Sequence, residues 1–324
     1  MQATDDRRTL MVRKCVQVHL AAGIGNIVLA TPLLLALQEL GLTTDLVLAA
    51  DYAETANLLR PWSAVREIFT CATVFPSEQY YSWVIPAIPP FYWARYARHL
   101  ERSRNVVTRP PDALFYQDEQ QYYWNFARRL GYVSERRPFC SLPITPSHPL
   151  GRNHRTLVLA PGCKTGEMAA KRWPYYQELA DKFDDVAVVG TADDLMRYNG
   201  DRIRFSPHVQ MFVDRLTLRQ TAELLAGAGA VVANDTGLAY VSAAVGTPTL
   251  ILFGPTPHKS LGRLPPNVYA VRAGLACEPC WFNARFRACA NRIDCLAKVS
   301  VADVVASLAI LGFSKDPLED EVAG

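Results

Sequence analysis

The run VVANDTGLAYVSAAVGTPTLILFGPT, residues 231–256, contains no lysine, arginine or glutamate. "AVVAN" has the β-branched character of a strand, "GLAYVSAAVG" that of a helix, and "TPTLILFG" that of a second strand. A strand–helix–strand series this apolar belongs in a sheet covered on both faces, as parallel sheets are. One acid, Asp235, stands at the strand-to-helix turn, and a carboxylate there is costly unless something holds it. Asp235 or Thr236 would serve as the helix N-cap, and the free amides of that turn would equally receive phosphate oxygens. A carboxylate repels phosphate, so Asp235 is expected to cap the turn or to accept from sugar hydroxyls.

The same alternation extends upstream. "TLVLAP" reads as a strand, "WPYYQELADKF" as a helix, "DVAVVG" as a strand, and "ADDLMRYNG" and "LTLRQTAELLAGA" as helices. Earlier still, "CVQVHL" (15–20) is a strand leading through "AAGIGN" into an apolar helix at about 27–40, closed by Gly41. "TDLVLA", "YAETANLLR" and "VREIF" continue as strand, helix and strand. The aromatic- and proline-rich region 76–150 carries helices at about 91–102 and 117–131, and "RRPFCSLPITPSHPLGRNHR" reads as a linker. The expected architecture is α/β, with two Rossmann-like domains at 1–150 and 151–324 whose parallel sheets face a cleft. The second domain carries a four-cysteine segment at 277–295 and a terminal helix.

Composition narrows the function classes. Half of the 324 residues are hydrophobic and a fifth are charged, as in a globular chain. Net charge is 34 − 31 = +3, too small to point to nucleic acid. The arginines are scattered (Arg7, Arg8, Arg13, Arg95, Arg98, Arg102, Arg104, Arg128, Arg129, Arg136, Arg137); solvated helix faces account for them, and a patch facing an acidic acceptor is the alternative. No apolar run reads as a transmembrane segment and no signal peptide is read, so the expected location is cytoplasmic, with peripheral association at a membrane left open.

Two loops have the residue types of an anion site. "HLAAGIGNIVLATP" places Gly23 and Gly25 between strand and helix, where backbone amides approach a ligand or simply make a tight turn; the spacing falls short of a dinucleotide fingerprint. In "PGCKTGEMAAKRWPYYQELA", Pro174 suits a first helical turn, which puts Lys171 and Arg172 at the end of the preceding loop. Two cations there suit a diphosphate, or are plain solvated charges.

"GIGNIVLATPLLLAL", "PG…KRWP…ELA" and "NDTGLAYVSAAVGTPTLILFGPT", in this order over residues 14–300, resemble the heptosyltransferase-like glycosyltransferases of family 9. The resemblance implies a bacterial, cytoplasmic enzyme of the two-Rossmann GT-B fold that transfers a sugar with inversion and without a catalytic metal. The donor is a nucleoside-diphosphate sugar, ADP-heptose in the best-known cases, and the acceptor a hydroxyl of a surface glycan, lipopolysaccharide or protein. It implies that Lys171 neutralises the leaving diphosphate. Gly162, Arg172, Asp235, Thr236, Gly237 and Tyr240 would complete the donor site, and Gly23, Gly25 and Asn26 the acceptor side. The family's lipopolysaccharide enzymes carry an aspartate, their general base, where this chain has Asn26, and a histidine where it has Tyr240. The base candidates left are Asp51, Asp112, Asp118 and His19. A silent nucleotide-sugar-binding or scaffold protein, and an epimerase or hydrolase of the same fold, are the alternatives.

Of eight cysteines, Cys15, Cys71, Cys140 and Cys163 are isolated. Cys277, Cys280, Cys289 and Cys295 are spaced C-x2-C-x8-C-x5-C, which suits a tetrahedral structural zinc or iron; buried free thiols, or disulfides, which a cytosolic chain disfavours, are the alternatives. Some relatives carry a four-cysteine iron finger in this region. Such an ion would staple the loop bearing Trp281, Phe282 and Phe286.

Overall fold

The computed structural model describes residues 15–20, 23–70, 81–94, 100, 105–147, 154–163, 170–197, 199–281, 289 and 293–314. They fall in two compact units: residues 1–143 with Lys259–Leu264, and Ile144–His258 with residues 265–324. Phe282, Phe286, Cys71 and the arginines at 7, 8, 13, 95, 98, 102 and 104 lie outside the described residues.

The first unit holds β1 (Cys15–Leu20), α1 (Ile24–Leu29), α2 (Thr31–Glu39), β2 (Thr43–Leu48), α3 (Ala56–Leu59), β3 (Val65–Thr70), β4 (Trp83–Ala87), α4 (Asp112–Gln117) and α5 (Glu119–Arg129). Its parallel sheet has the order β3-β2-β1-β4. All six residues of β1 are buried, as expected of a central strand covered on both faces. The helix expected at 27–40 begins earlier, at Ile24, and is two helices meeting at Ala30. It ends at Glu39, with Leu40 as its C-cap residue and then Gly41 at φ +70°, the left-handed position that glycine takes just past a helix. Strand β4 was not foreseen, because Pro86 sits inside it opposite His19. Proline is tolerated there because β4 lies at the end of the sheet. Of the helix expected at 91–102, a 3-10 turn, Pro90–Tyr92, leads into helical residues at 93, 94 and 100, and the rest lies outside the described residues. Asp45, 1% exposed in the middle of β2, is balanced by Arg66 at 2.6 Å and by the Tyr81 hydroxyl at 2.7 Å.

The second unit holds β5 (Leu157–Ala160), α6 (Tyr176–Ala180), β6 (Val186–Val188), β7 (Gln210–Met211), α7 (Leu218–Ala226), β8 (Ala230–Asn234), α8 (Gly237–Ala244), β9 (Thr249–Leu252), β10 (Val268–Val271), α9 (Asp294–Ala297) and α10 (Val301–Ile310). Its six-stranded parallel sheet runs β10-β9-β8-β5-β6-β7. The opening stretch is thus β8, α8 and β9, as read. "ADDLMRYNG" is not the expected helix. A 3-10 turn, Ala192–Leu195, is closed by Asp194 folding back onto Thr191, and the chain then leaves in an extended bridge from Met196 to Arg202.

Each sheet reverses its winding once. In the second, the chain leaves β5 toward β6 and β7 and returns to place β8 on the other side of β5. In the first, β1 plays the same part between β2 and β4. Crevices at the carboxyl ends of strands flanking such a reversal are where α/β sheets bind ligands. Pro161 and Gly162 follow β5, Asp235 follows β8, and Gly23–Asn26 follow β1. Among the described residues, no helix is long and apolar enough to cross a membrane.

Candidate functional site

In the second unit the reversal is locked by Asn234, the last residue of β8, which is fully buried. Its Nδ2 donates to the Pro161 carbonyl at 2.6 Å, and its Oδ1 accepts from the Trp173 amide and the Tyr176 hydroxyl, both at 3.1 Å. One side chain therefore fixes the end of β5, the approach to α6 and the turn into α8. A buried amide with its capacity this fully used is a rigid support.

Asp235 is next. It does not cap α8; the N-cap residue is Thr236, extended at φ −146°, and its side chain makes no capping bond. Asp235 instead binds the Lys171 ammonium at 2.8 Å through Oδ2 and accepts from the Tyr240 hydroxyl through Oδ1. Burial pushes the carboxyl up, but Lys171, by charge and hydrogen bond, and the Tyr240 hydroxyl outweigh it and hold the group below its ordinary value. The buried Thr256 side chain lies in the same corner and helps hold the Asp235 carboxyl down. Tyr240 thus serves as a donor to Asp235. Lys171, whose side chain is 15% exposed, also lies 5.2 Å from the centre of the Trp281 ring. The result is a cation drawn out of water, held by an acid on one side and an aromatic face on the other. It stands near the uncapped first turn of α8, where helix amides and dipole favour an anion.

The other residues expected here have more structural partners. Arg172 is 4% exposed and donates to the carbonyls of Cys163, at 3.0 Å, and Met196. Gly162 packs against the Asp194 carboxyl; a Cβ at Gly162 would lie 2.2 Å from it. Arg172 thus ties down the backbone at Cys163 and Met196, and Gly162 leaves room for Asp194. Thr236 and Gly237 begin α8 as read.

In the first unit, Gly23 is the N-cap residue of α1, and Gly25 and Asn26 lie in its first turn. Asn26 Nδ2 donates to Glu119 Oε1 at 2.6 Å, and the Tyr123 hydroxyl donates to the same oxygen at 3.1 Å. Burial, then the Glu119 charge, push Tyr123 well above its ordinary value. The base candidates read from the sequence lie elsewhere. His19 is buried in β1 with Nε2 2.8 Å from Gln17. Asp51 is exposed in a 3-10 turn, Asp112 pairs with Arg109 at 3.3 Å, and Asp118 caps α5 and pairs with Arg137 at 2.8 Å.

Cys277, Cys280, Cys289 and Cys295 are free thiols that line one small pocket with Ala170, Pro255, Glu278, Ile293 and Asp294. The Ile293 amide donates to Cys289 Sγ at 3.4 Å. Burial, with Glu278 and the other three thiols, pushes Cys295 up to about 12. Among the described residues, no three His, Cys, Asp or Glu side chains are arranged to hold a metal ion.

A sequence model of glycosyltransferase family 9 (heptosyltransferase) matches residues 99–287. Lipopolysaccharide heptosyltransferase 1 of Pseudomonas aeruginosa is 34% identical over 117 residues, 34% of this chain and 32% of that protein. Lipopolysaccharide heptosyltransferase 2 of Escherichia coli K12 is 34% identical over 137 residues, 36% of this chain and 39% of that protein. The match thus spans about a third of the length of these curated relatives. Among solved structures, the ADP-heptose lipopolysaccharide heptosyltransferase II of E. coli superposes with TM-score 0.66 at 17% identity, covering 92% of this chain and 98% of that one. The dodecameric iron-containing heptosyltransferase TibC gives TM-score 0.64 at 12% identity, covering 92% of this chain and 76% of the other.

Proposed function

The chain belongs to glycosyltransferase family 9, and on that premise we propose that it transfers heptose or a related hexose, with inversion, from a nucleoside-diphosphate sugar to an acceptor hydroxyl. The observation that carries this reading is the Lys171–Asp235 pair at 2.8 Å, set at the sheet reversal beside the uncapped start of α8. A departing nucleoside diphosphate develops negative charge on its bridging oxygen, and a cation already in place lowers the barrier without rearranging. Lys171 is that cation, and Asp235 and Trp281 hold it there. The Thr236 and Gly237 turn receives the diphosphate, while Gly162, Arg172 and Tyr240 keep the surrounding loops in register. Gly23, Gly25 and Asn26 line the acceptor's side. The acceptor is a surface glycan, a lipopolysaccharide or a protein.

The four thiols supply a donor set that suits zinc or iron, and we assign them a structural ion. Its work would be to fix the segment that carries Trp281 to Lys171. The shared pocket and the amide donated to Cys289 support this; an ion would draw the thiols closer than they stand. Metal analysis of protein purified without chelator tests it, with about one equivalent expected and none counting against it.

Calorimetry with ADP, UDP and ADP-heptose tests the donor site. A nucleotide should bind the wild-type protein, and Lys171→Ala should weaken that binding at least about tenfold, the equivalent of ~1.4 kcal/mol. Equal affinity in the two proteins, or binding in neither, would overturn the assignment.

A further inference from the structure

Transfer to a hydroxyl requires a group that takes its proton, and an amide such as Asn26 cannot. We propose that Glu119 is that general base, an inference that rests on the transferase reading above. Glu119 is 8% exposed at the first position of α5, where the helix dipole favours an anion. Two neutral donors meet on its Oε1: Asn26 Nδ2 at 2.6 Å and the Tyr123 hydroxyl at 3.1 Å. Tyr123 on its own helix donates to it, and Tyr52, from the 3-10 turn after β2, lies beside Gly23. Asn26, which donates to Glu119, stands in the first turn of α1, the helix that follows β1 at the sheet's reversal. On that side Gly23 leaves room, since even a Cβ there would stand 3.5 Å from Asn26 Oδ1.

Asn26 then has a defined task. As a donor it orients the carboxylate; an aspartate in its place would set two anions at hydrogen-bond distance and force them to share a proton. In the step, the acceptor O–H bond breaks and its proton passes to the Glu119 carboxylate. The freed oxygen forms a bond to the sugar's anomeric carbon as the bond from that carbon to the diphosphate breaks. The electron pair leaves on the nucleoside diphosphate, so the step needs no oxidant or further reactant.

The test compares wild type, Glu119→Gln, Glu119→Asp and Asn26→Asp, following ADP release from ADP-heptose with a bacterial lipopolysaccharide and glycoprotein fraction between pH 5 and 9. Binding of ADP-2-deoxy-2-fluoro-heptose is measured by calorimetry, and thermal melting checks folding. Glutamine still accepts from Asn26 and Tyr123, so a merely structural Glu119 would leave Glu119→Gln within a few-fold of wild type. A base predicts a fall in kcat of at least about 100-fold, an unchanged donor Kd and loss of the acidic limb of the kcat/KM profile. Glu119→Asp should keep part of the rate, and Asn26→Asp should move the acidic limb to higher pH. Turnover by wild type with Glu119→Gln within tenfold of it would overturn Glu119 and leave the transferase reading standing. Neither binding nor turnover by wild type would overturn both.

Discussion

Asp235→Ala removes one member of a buried ion pair and leaves the other. Lys171 keeps its charge beside the Trp281 ring, and the Tyr240 hydroxyl loses its acceptor. Breaking a buried pair in this way costs about 3–5 kcal/mol. The lost hydroxyl bond adds to that cost, but the two are neighbours and do not sum, and Lys171, with 15% of its side chain exposed, partly rehydrates. The expected loss is ~3 kcal/mol, or about 6–12 °C in the melting of a unit this size. Scanning calorimetry at pH 7 reads it. Because the carboxyl is held below its ordinary 3.8, its contribution is complete above that value and is lost as pH falls through the lower folded one. The gap between wild type and variant should therefore be flat from neutral pH down to about pH 5 and narrow in more acid solution. Replacing the cation as well, in Asp235→Ala with Lys171→Met, should recover part of the loss. A gap below about 1 kcal/mol, a gap that widens toward acid, or a double variant no better than the single would refute the reasoning.

Three further outcomes follow from the packing. Trp281→Ala should weaken ADP binding about 2- to 30-fold, the range of a ~0.5–2 kcal/mol cation–π contact, read by calorimetry. Gly229→Ala puts a Cβ 2.3 Å from the His154 carbonyl, backbone that cannot swing aside, and should destabilise by about 1–3 kcal/mol in thermal melts. Thr217→Ala removes the capping box that Thr217 and Gln220 form at the start of α7 and should cost about 1 kcal/mol by the same measurement.

The parallel strands were the most legible part of the chain, because a strand buried on both faces is a short run of β-branched and aliphatic residues that little else imitates. Strand β4 escaped because the sequence does not announce which strands lie at a sheet's end, and only there can Pro86 be accepted. The turn after Gly190 escaped for a different reason: Thr191 and Asp194 form a capping box like that of a helix start, but the turn ends at Leu195 and Met196 is already extended. At the site, Lys171 and Asp235 were each picked out, but their bond was not, since it joins loops after different strands. Glu119 lies 93 residues from Asn26, and nothing local in "QDEQQYYW" sets it apart from any glutamate in a helix's first turn.

Lys259–Leu264 belongs with the first unit although the chain on both sides of it belongs to the second. It supplies the Leu261 carbonyl that receives the fully buried Gln120 amide at 2.6 Å, and Arg263, which donates to the Arg137 carbonyl at 2.7 Å. Expressing residues 1–143 alone would leave Gln120 facing missing acceptors. A chimera that exchanges one half for a relative's therefore needs two further splice points, or must bring the hexapeptide along. Recombination within such a chain is constrained at residues remote from any ligand.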